Sequence, residues 1–339
     1  MIKPVWIILV FIIMSSLNAQ EIPKDGVQER LVWPKGGIDD ARIEYIKSVN
    51  SASSLGIKKG FFSKVYDFIF GENETKLSAP FGIHANLERV YVTDISAKAV
   101  FIFDKKENET IILEGSDNER FSYPIDVVAD AKGNIYVSDS EAGKIFVFDK
   151  DGDFSHFITL KVIQRPIGIA ISADGKLLYI VDVVAGAIHV STLDGKFVKT
   201  FGKMGKGELE FNKPTYIDVA SNGDIYVADS MNHRIEVLDK DGKFIRVFGR
   251  LSQTIGGFAN PRGIALDSDD NVYVSDTMYN TIQIFNKHGE ILMKFGSYGG
   301  GRGEFALVED ISIIEGNTIY VADVNNRAVK IFKRLDPKE

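Results

Sequence analysis

A four-residue pattern, Tyr-[Val/Ile]-x-Asp, recurs six times in this chain, starting at Tyr91, Tyr136, Tyr179, Tyr226, Tyr273 and Tyr320. The steps between copies are 45, 43, 47, 47 and 47 residues. Self-similarity at this period restricts the chain to repeat architectures, in which each unit buries its apolar face only against its neighbours. Four short strand-like runs surround each copy. In the copy that begins at Pro214 they are residues 215–220, 225–229, 235–239 and 243–249, separated by the turns Ser221-Asn222-Gly223-Asp224 and Lys240-Asp241-Gly242 and by a polar loop. Such Gly-containing pairs suit tight hairpins because they accept positive φ cheaply. Equivalent turns stand at Gly133-Asn134, Asp151-Gly152, Asp174-Gly175, Asp194-Gly195 and His288-Gly289. Four-stranded antiparallel units at this period are the blades of an all-β propeller, and six copies predict six blades.

The sixth copy is short. It holds strand-like residues 311–314, 318–323 and 328–333, and no fourth strand follows. Ahead of blade one, residues 41–49 (ARIEYIKSV) alternate like a strand and have no partner of their own. An open ring would leave bare strand edges, so this segment is predicted to complete blade six and close the ring. The chain then divides into a leader (1–19), an N-terminal extension (20–79) with the closing strand at about 41–49, and the propeller (80–339). Within the extension, residues 60–71 (GFFSKVYDFIFG) place Phe62, Tyr66 and Phe70 at i, i+4 and i+8, which predicts a short amphipathic helix packed on the propeller.

The blade pattern Pro-x-x-Ile, Gly-[Asp/Asn]-[Ile/Val]-Tyr-Val-x-Asp, Asn-x-Arg-Ile, Phe-Gly and Gly-x-x-x-Phe-x-x-Pro resembles the NHL repeat. The resemblance spans about residues 80–333 and is fullest over 214–261, including Asn232-His233-Arg234-Ile235. It thins in blades one and three, where Lys98 and Ala187 stand near the arginine position. The flanks resemble those of exported bacterial six-bladed propellers. The resemblance implies a binding scaffold, and related propellers include lactonases and lyases with a divalent ion in the central channel.

Lys3, the apolar residues 5–14 (VWIILVFIIM) and the small polar residues before Gln20 read as a signal peptide cleaved near Ala19. The apolar run is shorter than the roughly 20 residues a membrane-spanning helix needs. The expected location is periplasmic or secreted. With no cysteine in the chain, a lipid anchor, disulfides, a thiol nucleophile and Cys-based zinc sites are excluded. A net charge of −7 argues against nucleic acid, whose phosphates call for a surplus of Lys and Arg. A monomer is expected.

The repeated aspartate occurs in every blade, so it is read as answering a structural demand common to all of them, namely accepting backbone N–H groups of the following loop. Sites belong where repeats differ. The face bearing the loops between strands two and three and the crossings between blades collects Asn232-His233, Met278-Tyr279-Asn280, Asn325-Asn326 and the glycine-rich residues 202–211 and 296–305. At the channel, two residues past each blade-start position, stand Gly82, Asp126, Gly168, Tyr216, Gly263 and Asp310, with glycine as the default. Candidate binding residues are therefore Asp126, Tyr216, Arg262, Glu309 and Asp310 at the channel mouth and His233 on the loop face, with His84 and Asp218 flanking. If a metal binds, its ligands are Asp126, Asp218, Glu309 and Asp310; no other cofactor is expected. Residues 149–153 (DKDGD) open like a calcium loop but read as a hairpin turn, and Lys196, Lys199, Lys203, Lys206 and Lys213 read as a solvated edge. No metalloprotease, serine-hydrolase or cysteine-nucleophile motif is present. The chain reads as a non-catalytic exported scaffold that recognises a protein, peptide or glycan through its loop face. The alternative is a metal-dependent lactonase- or lyase-type enzyme with a divalent ion at the channel.

Overall fold

The computed structural model describes residues 30–34, 42–57, 76–314 and 317–335. The leader (1–19) and the aromatic stretch 60–71 lie outside the described residues. The described remainder forms six blade sheets in sequence order, each of the first five containing four antiparallel strands, and a two-stranded parallel sheet of Lys203–Met204 and Glu210–Phe211 in one crossing. Blade four shows the build: Pro214–Val219, Ile225–Asp229, Arg234–Leu238 and Phe244–Phe248. Its second strand is buried at every position because both faces are covered by neighbouring blades. Its outermost strand alternates, with Phe248 buried and Ile245 and Val247 exposed, as a strand half in water should. At the outer hairpin Gly242 takes φ 85°, and the Asp239 carboxylate accepts N–H groups of Asp241 and Lys243, both at 2.9 Å.

The core lies between blades. Val181, Ile188, Val190 and Phe201 of blade three pack with Ile217, Ile225, Val227 and Leu238 of blade four. Blade six is completed by the N-terminal segment, as the edge argument requires. Ile43–Val49 pairs antiparallel with Ala328–Arg334, and Leu31–Trp33 adds a fifth strand outside it. Ile43 and Val49 are buried, and Val49 shares a cluster with Tyr320 of blade six and Ile83 and Val92 of blade one. Trp33 packs on Phe295 and Phe332 at ring-centroid distances of 5.8 and 6.0 Å.

The six repeated aspartates are all fully buried. Asp94 accepts N–H groups of Ser78 and Ala79 on one oxygen (2.6 and 3.0 Å) and of Ser96 and Ala97 on the other (3.1 and 2.9 Å). One carboxylate thus clamps the chain entering the blade to the loop leaving its second strand. Asp139, Asp182 and Asp276 repeat the arrangement. Asp229 and Asp323 exchange the loop N–H groups for side chains: Asn232 and Arg234 in one case, Asn326 and Lys330 in the other.

Candidate functional site

Six inner strands converge on the channel: Pro80–Ala85, Pro124–Ala129, Pro166–Ile171, Pro214–Val219, Pro261–Leu266 and Val308–Ile314. Alternation along a strand turns every second residue to the axis. The deepest tier is Gly82, Asp126, Gly168, Tyr216, Gly263 and Asp310, so glycine alternates with a large residue around the ring. These glycines are a steric demand rather than a default. A Cβ on Gly82 would sit 2.3 Å from the Ile125 carbonyl oxygen, one on Gly168 2.5 Å from that of Thr215, and one on Gly263 2.5 Å from that of Glu309. On the odd blades glycine lets the backbone of the next, even blade approach closely.

The next tier is His84, Val128, Ala170, Asp218, Ala265 and Ser312, which line one cavity together with Asp126, Tyr216 and Asp310. The cavity has a volume of about 320 Å³ and runs to a rim at Ser221, Asp267, Ser268 and Asp270, in the turns between first and second strands. That rim lies on the face opposite the loops and crossings. Toward the loop face, Arg262 and Glu309 form an ion pair, the Arg262 guanidinium lies 5.9 Å from the Phe81 ring, and Phe81, Ile125 and Ile167 share an apolar cluster with Tyr216.

The channel carboxylates are stitched into the seams. Asp126 accepts the Val127 and Ile169 N–H groups, both at 2.8 Å, and Asp218 accepts those of Val219 and Leu266, also at 2.8 Å. Asp310 accepts the Ile83 N–H at 2.9 Å, across the closure of the ring. Burial lifts Asp126 to about 7 despite these N–H groups, with the Asp218 charge adding to the rise. Asp218 is lifted by burial to about 6. Asp310 rises well above the usual carboxylate range, from burial first and the neighbouring Asp126 charge second. Burial raises Glu309 while Arg262 pulls it back, and burial pushes His84 down to about 4. Tyr216 lies on blade four, yet after burial the groups that raise its hydroxyl are Asp310, Glu309 and Asp126 from blades six and two. Tyr216 thus stands within electrostatic reach of the two other large members of its tier. Its hydroxyl has no hydrogen-bond partner.

The structure therefore gathers Asp126, Tyr216, Asp310 and Asp218 in one cavity with His84. Arg262 and Glu309 pair with each other outside the cavity lining, and His233 lies on the loop face, its Nδ1 2.7 Å from the Ala259 carbonyl oxygen. Among the described residues no group of three or more His, Asp or Glu is placed to hold a metal ion. The loop face also carries an apolar arc, of which the sequence pointed to Met278 and to the crossings 202–211 and 296–305 but not to Val184, Met231 or Leu251. Val184, Met231 and Met278 occupy equivalent places in the second-to-third-strand loops of blades three to five, and Met204, Leu251 and Tyr298 do so in the three crossings that follow. Each set steps by 47 residues, the signal that could have found them. Their exposures run from 46% at Val184 to 75% at Tyr298. Each crossing residue pairs with a buried phenylalanine, Phe211, Phe258 or Phe305, which anchors the crossing and leaves its partner outside. Blades one, two and six carry Ser96, Glu141 and Asn325 at the loop position.

Residues 71–248, more than half of the chain, match the family described as SMP-30/gluconolactonase/LRE-like region, and residues 260–333 match one described as a 6-bladed β-propeller. No curated protein matches the chain. Among solved structures it is similar to virginiamycin B lyase from Staphylococcus aureus, at 18% identity and TM-score 0.56, covering 76% of this chain and 96% of that one. It is similar to a structural-genomics protein from Bacteroides thetaiotaomicron at 16% identity and TM-score 0.62, covering 86% and 75% of the two chains. An auxiliary nutrient binding protein from the same organism aligns at 14% identity and TM-score 0.61, covering 77% and 70%. At these identities the likeness is one of fold. With six four-stranded blades in place and the match spanning most of them, the chain belongs to the SMP-30/gluconolactonase/LRE-like family.

Proposed function

We propose that this chain is an exported, non-catalytic binding propeller that receives a protein or peptide segment on its loop face. The observation that carries the reading is the apolar arc over blades three to five. Exposed apolar residues scattered singly need no explanation, but six at two ring-equivalent positions on three successive blades form a surface suited to a partner. Methionine adapts to varied shapes, and tyrosine offers an apolar body with a polar tip. The same crossings carry Lys203, Lys206, Lys213 and Arg250 on a chain of net charge −7. Glu210, which stands among them, spends one oxygen on the N–H groups of Lys206 and Gly207 and pairs the other with Lys203 at 3.3 Å, which leaves Lys206, Lys213 and Arg250 as the exposed basic neighbours. Apolar contacts with basic neighbours favour a segment that is apolar and acidic. The NHL-like blade pattern supports the same use of this face.

The family match and the lyase among the structural relatives favour a second reading, an enzyme acting at the channel through a divalent ion. Against it, Glu309 is committed to Arg262, and among the described residues no group of three or more His, Asp or Glu is placed to hold a metal ion.

A random-peptide display library panned on the wild type, with a Met231→Ser, Leu251→Ser, Met278→Ser, Tyr298→Ser variant as counter-selection, tests the first reading. Apolar, acidic peptides should emerge that bind the wild type at least about tenfold more tightly, a difference of about 1.4 kcal/mol. Peptides that bind both proteins alike, or no peptides, would overturn it.

A further inference from the structure

The channel cavity is a second concave site, independent of the loop face. We propose that it binds a small organic cation, a primary ammonium on a short apolar stem, entering from the face of the first-to-second-strand turns. Five aspartates line it, Asp126, Asp218, Asp267, Asp270 and Asp310, and among its described lining residues none is Lys or Arg. Asp267 is neutralised by Arg334 from the last strand; the deep pair, Asp126 and Asp310, has no such cation within the cavity. Burying these carboxyls favours their protonated form, and a ligand that brings its own positive charge replaces that proton and lets them ionise in place.

The Tyr216 hydroxyl points independently to a ligand. It belongs to a residue that lines the cavity, is buried and has no hydrogen-bond partner, a state most buried hydroxyls avoid. An ammonium group has three N–H donors and no acceptor. The deep tier offers the Asp126 and Asp310 carboxylates and the Tyr216 oxygen as three acceptors. Each carboxylate oxygen of Asp126 already takes one backbone N–H but has a second lone pair to offer. Val128, Ala170 and Ala265 in the tier above supply apolar wall for the stem. A calcium ion asks for six to eight oxygens close around it, and these residues form no such cage. A volume of about 320 Å³ is at the small end of ligand pockets, which limits the occupant to a small molecule. Rim acids such as Asp270 would draw a cation to the open end.

The test is thermal unfolding and titration calorimetry with n-butylammonium, against n-butanol as the neutral isostere and sodium and calcium at matched ionic strength. Butylammonium should raise the midpoint saturably, while butanol and sodium should not. Tyr216→Phe removes only an unpartnered hydroxyl and so should fold, and it should weaken butylammonium several-fold. Asp126→Asn should weaken it at least about tenfold. Equal shifts from butanol and butylammonium would overturn the proposal. So would butylammonium binding unchanged in both variants, or a saturable shift with calcium alone.

Discussion

Replacing Asp126 by Asn should alter the pH dependence of stability more than the stability at any single pH. In the folded chain burial raises this carboxyl to about 7, against N–H groups from Ile169 and Val127, and the Asp218 charge adds to the rise. In the unfolded chain it titrates near the ordinary aspartate value of about 3.9. Between those values the folded protein holds a proton that the unfolded chain has released. The stabilisation is therefore complete below about pH 4, is lost as pH rises to about 7, and changes no further above it. The slope is about 1.4 kcal/mol per pH unit, so roughly 4 kcal/mol is at stake over three units, a large share of a typical stability of about 5–15 kcal/mol. Asn does not titrate. Its amide keeps one acceptor and loses the other, which costs about 1–3 kcal/mol at every pH. The variant should be the less stable protein near pH 4, cross the wild type between about pH 4.6 and 6, and exceed it near pH 8. His84, pushed down to about 4, titrates in the opposite sense: its stabilisation is lost as pH falls below its ordinary value toward 4. It is common to both proteins and drops out of the difference; Asp310, raised in part by the Asp126 charge, does not, and its easier ionisation in the variant adds to the variant's advantage above about pH 7. Urea unfolding at closely spaced pH values, with m checked for constancy, gives the two curves. A wild-type-minus-variant difference that stays constant across the range would refute the reasoning, because Asp126 would then be ionised in the folded state throughout.

The ring closure and the crowded axis give two more expectations. Ile43→Ala, at a fully buried site of the closing strand, should cost about 2–5 kcal/mol. In a chain starting at residue 20, Trp33 is the single tryptophan, and its fluorescence and the far-UV circular dichroism should lose stability together. A shift in the Trp33 transition alone would show that the strand frays without opening the ring. Gly82→Ala, which places a methyl 2.3 Å from the Ile125 carbonyl oxygen, should destabilise by about 1–3 kcal/mol or more, while Gly300→Ala, whose nearest contact is 3.4 Å, should be nearly neutral. Equal urea midpoints for the two glycine variants would contradict the packing argument.

Much of the fold was legible because its causes are local or are matters of accounting. The Tyr-[Val/Ile]-x-Asp step announces four-stranded units, turn residues mark the hairpins, and a blade missing one strand beside an unattached strand-like segment identifies residues 41–49 as the closure, of which 43–49 form the strand. The aspartate clamp was readable for the same reason, since what every blade carries serves every blade. The channel was legible only as a set of positions. Gly82, Gly168 and Gly263 looked like a default beside which Asp126, Tyr216 and Asp310 were exceptions; in the ring the two groups are one alternating arrangement, because at each glycine the backbone of the next blade comes too close to admit a Cβ.

Arg262 and Glu309 looked like further lining of the same mouth. Their ion pair instead stands outside the cavity, whose lining runs to the turn face. His233 looked like a loop-face ligand and contacts the Ala259 carbonyl oxygen. The 47-residue step already contained Met204, Leu251 and Tyr298, but nothing in the sequence says that Phe211, Phe258 and Phe305 turn inward and leave them in water. Repetition along the chain determines which blade is built and how often. Which side chains share a cavity, which end of it is open and which apolar residues stay exposed depend on contacts between residues up to 227 positions apart, as Asp310 and Ile83 are, and those distances exist only once the ring has closed.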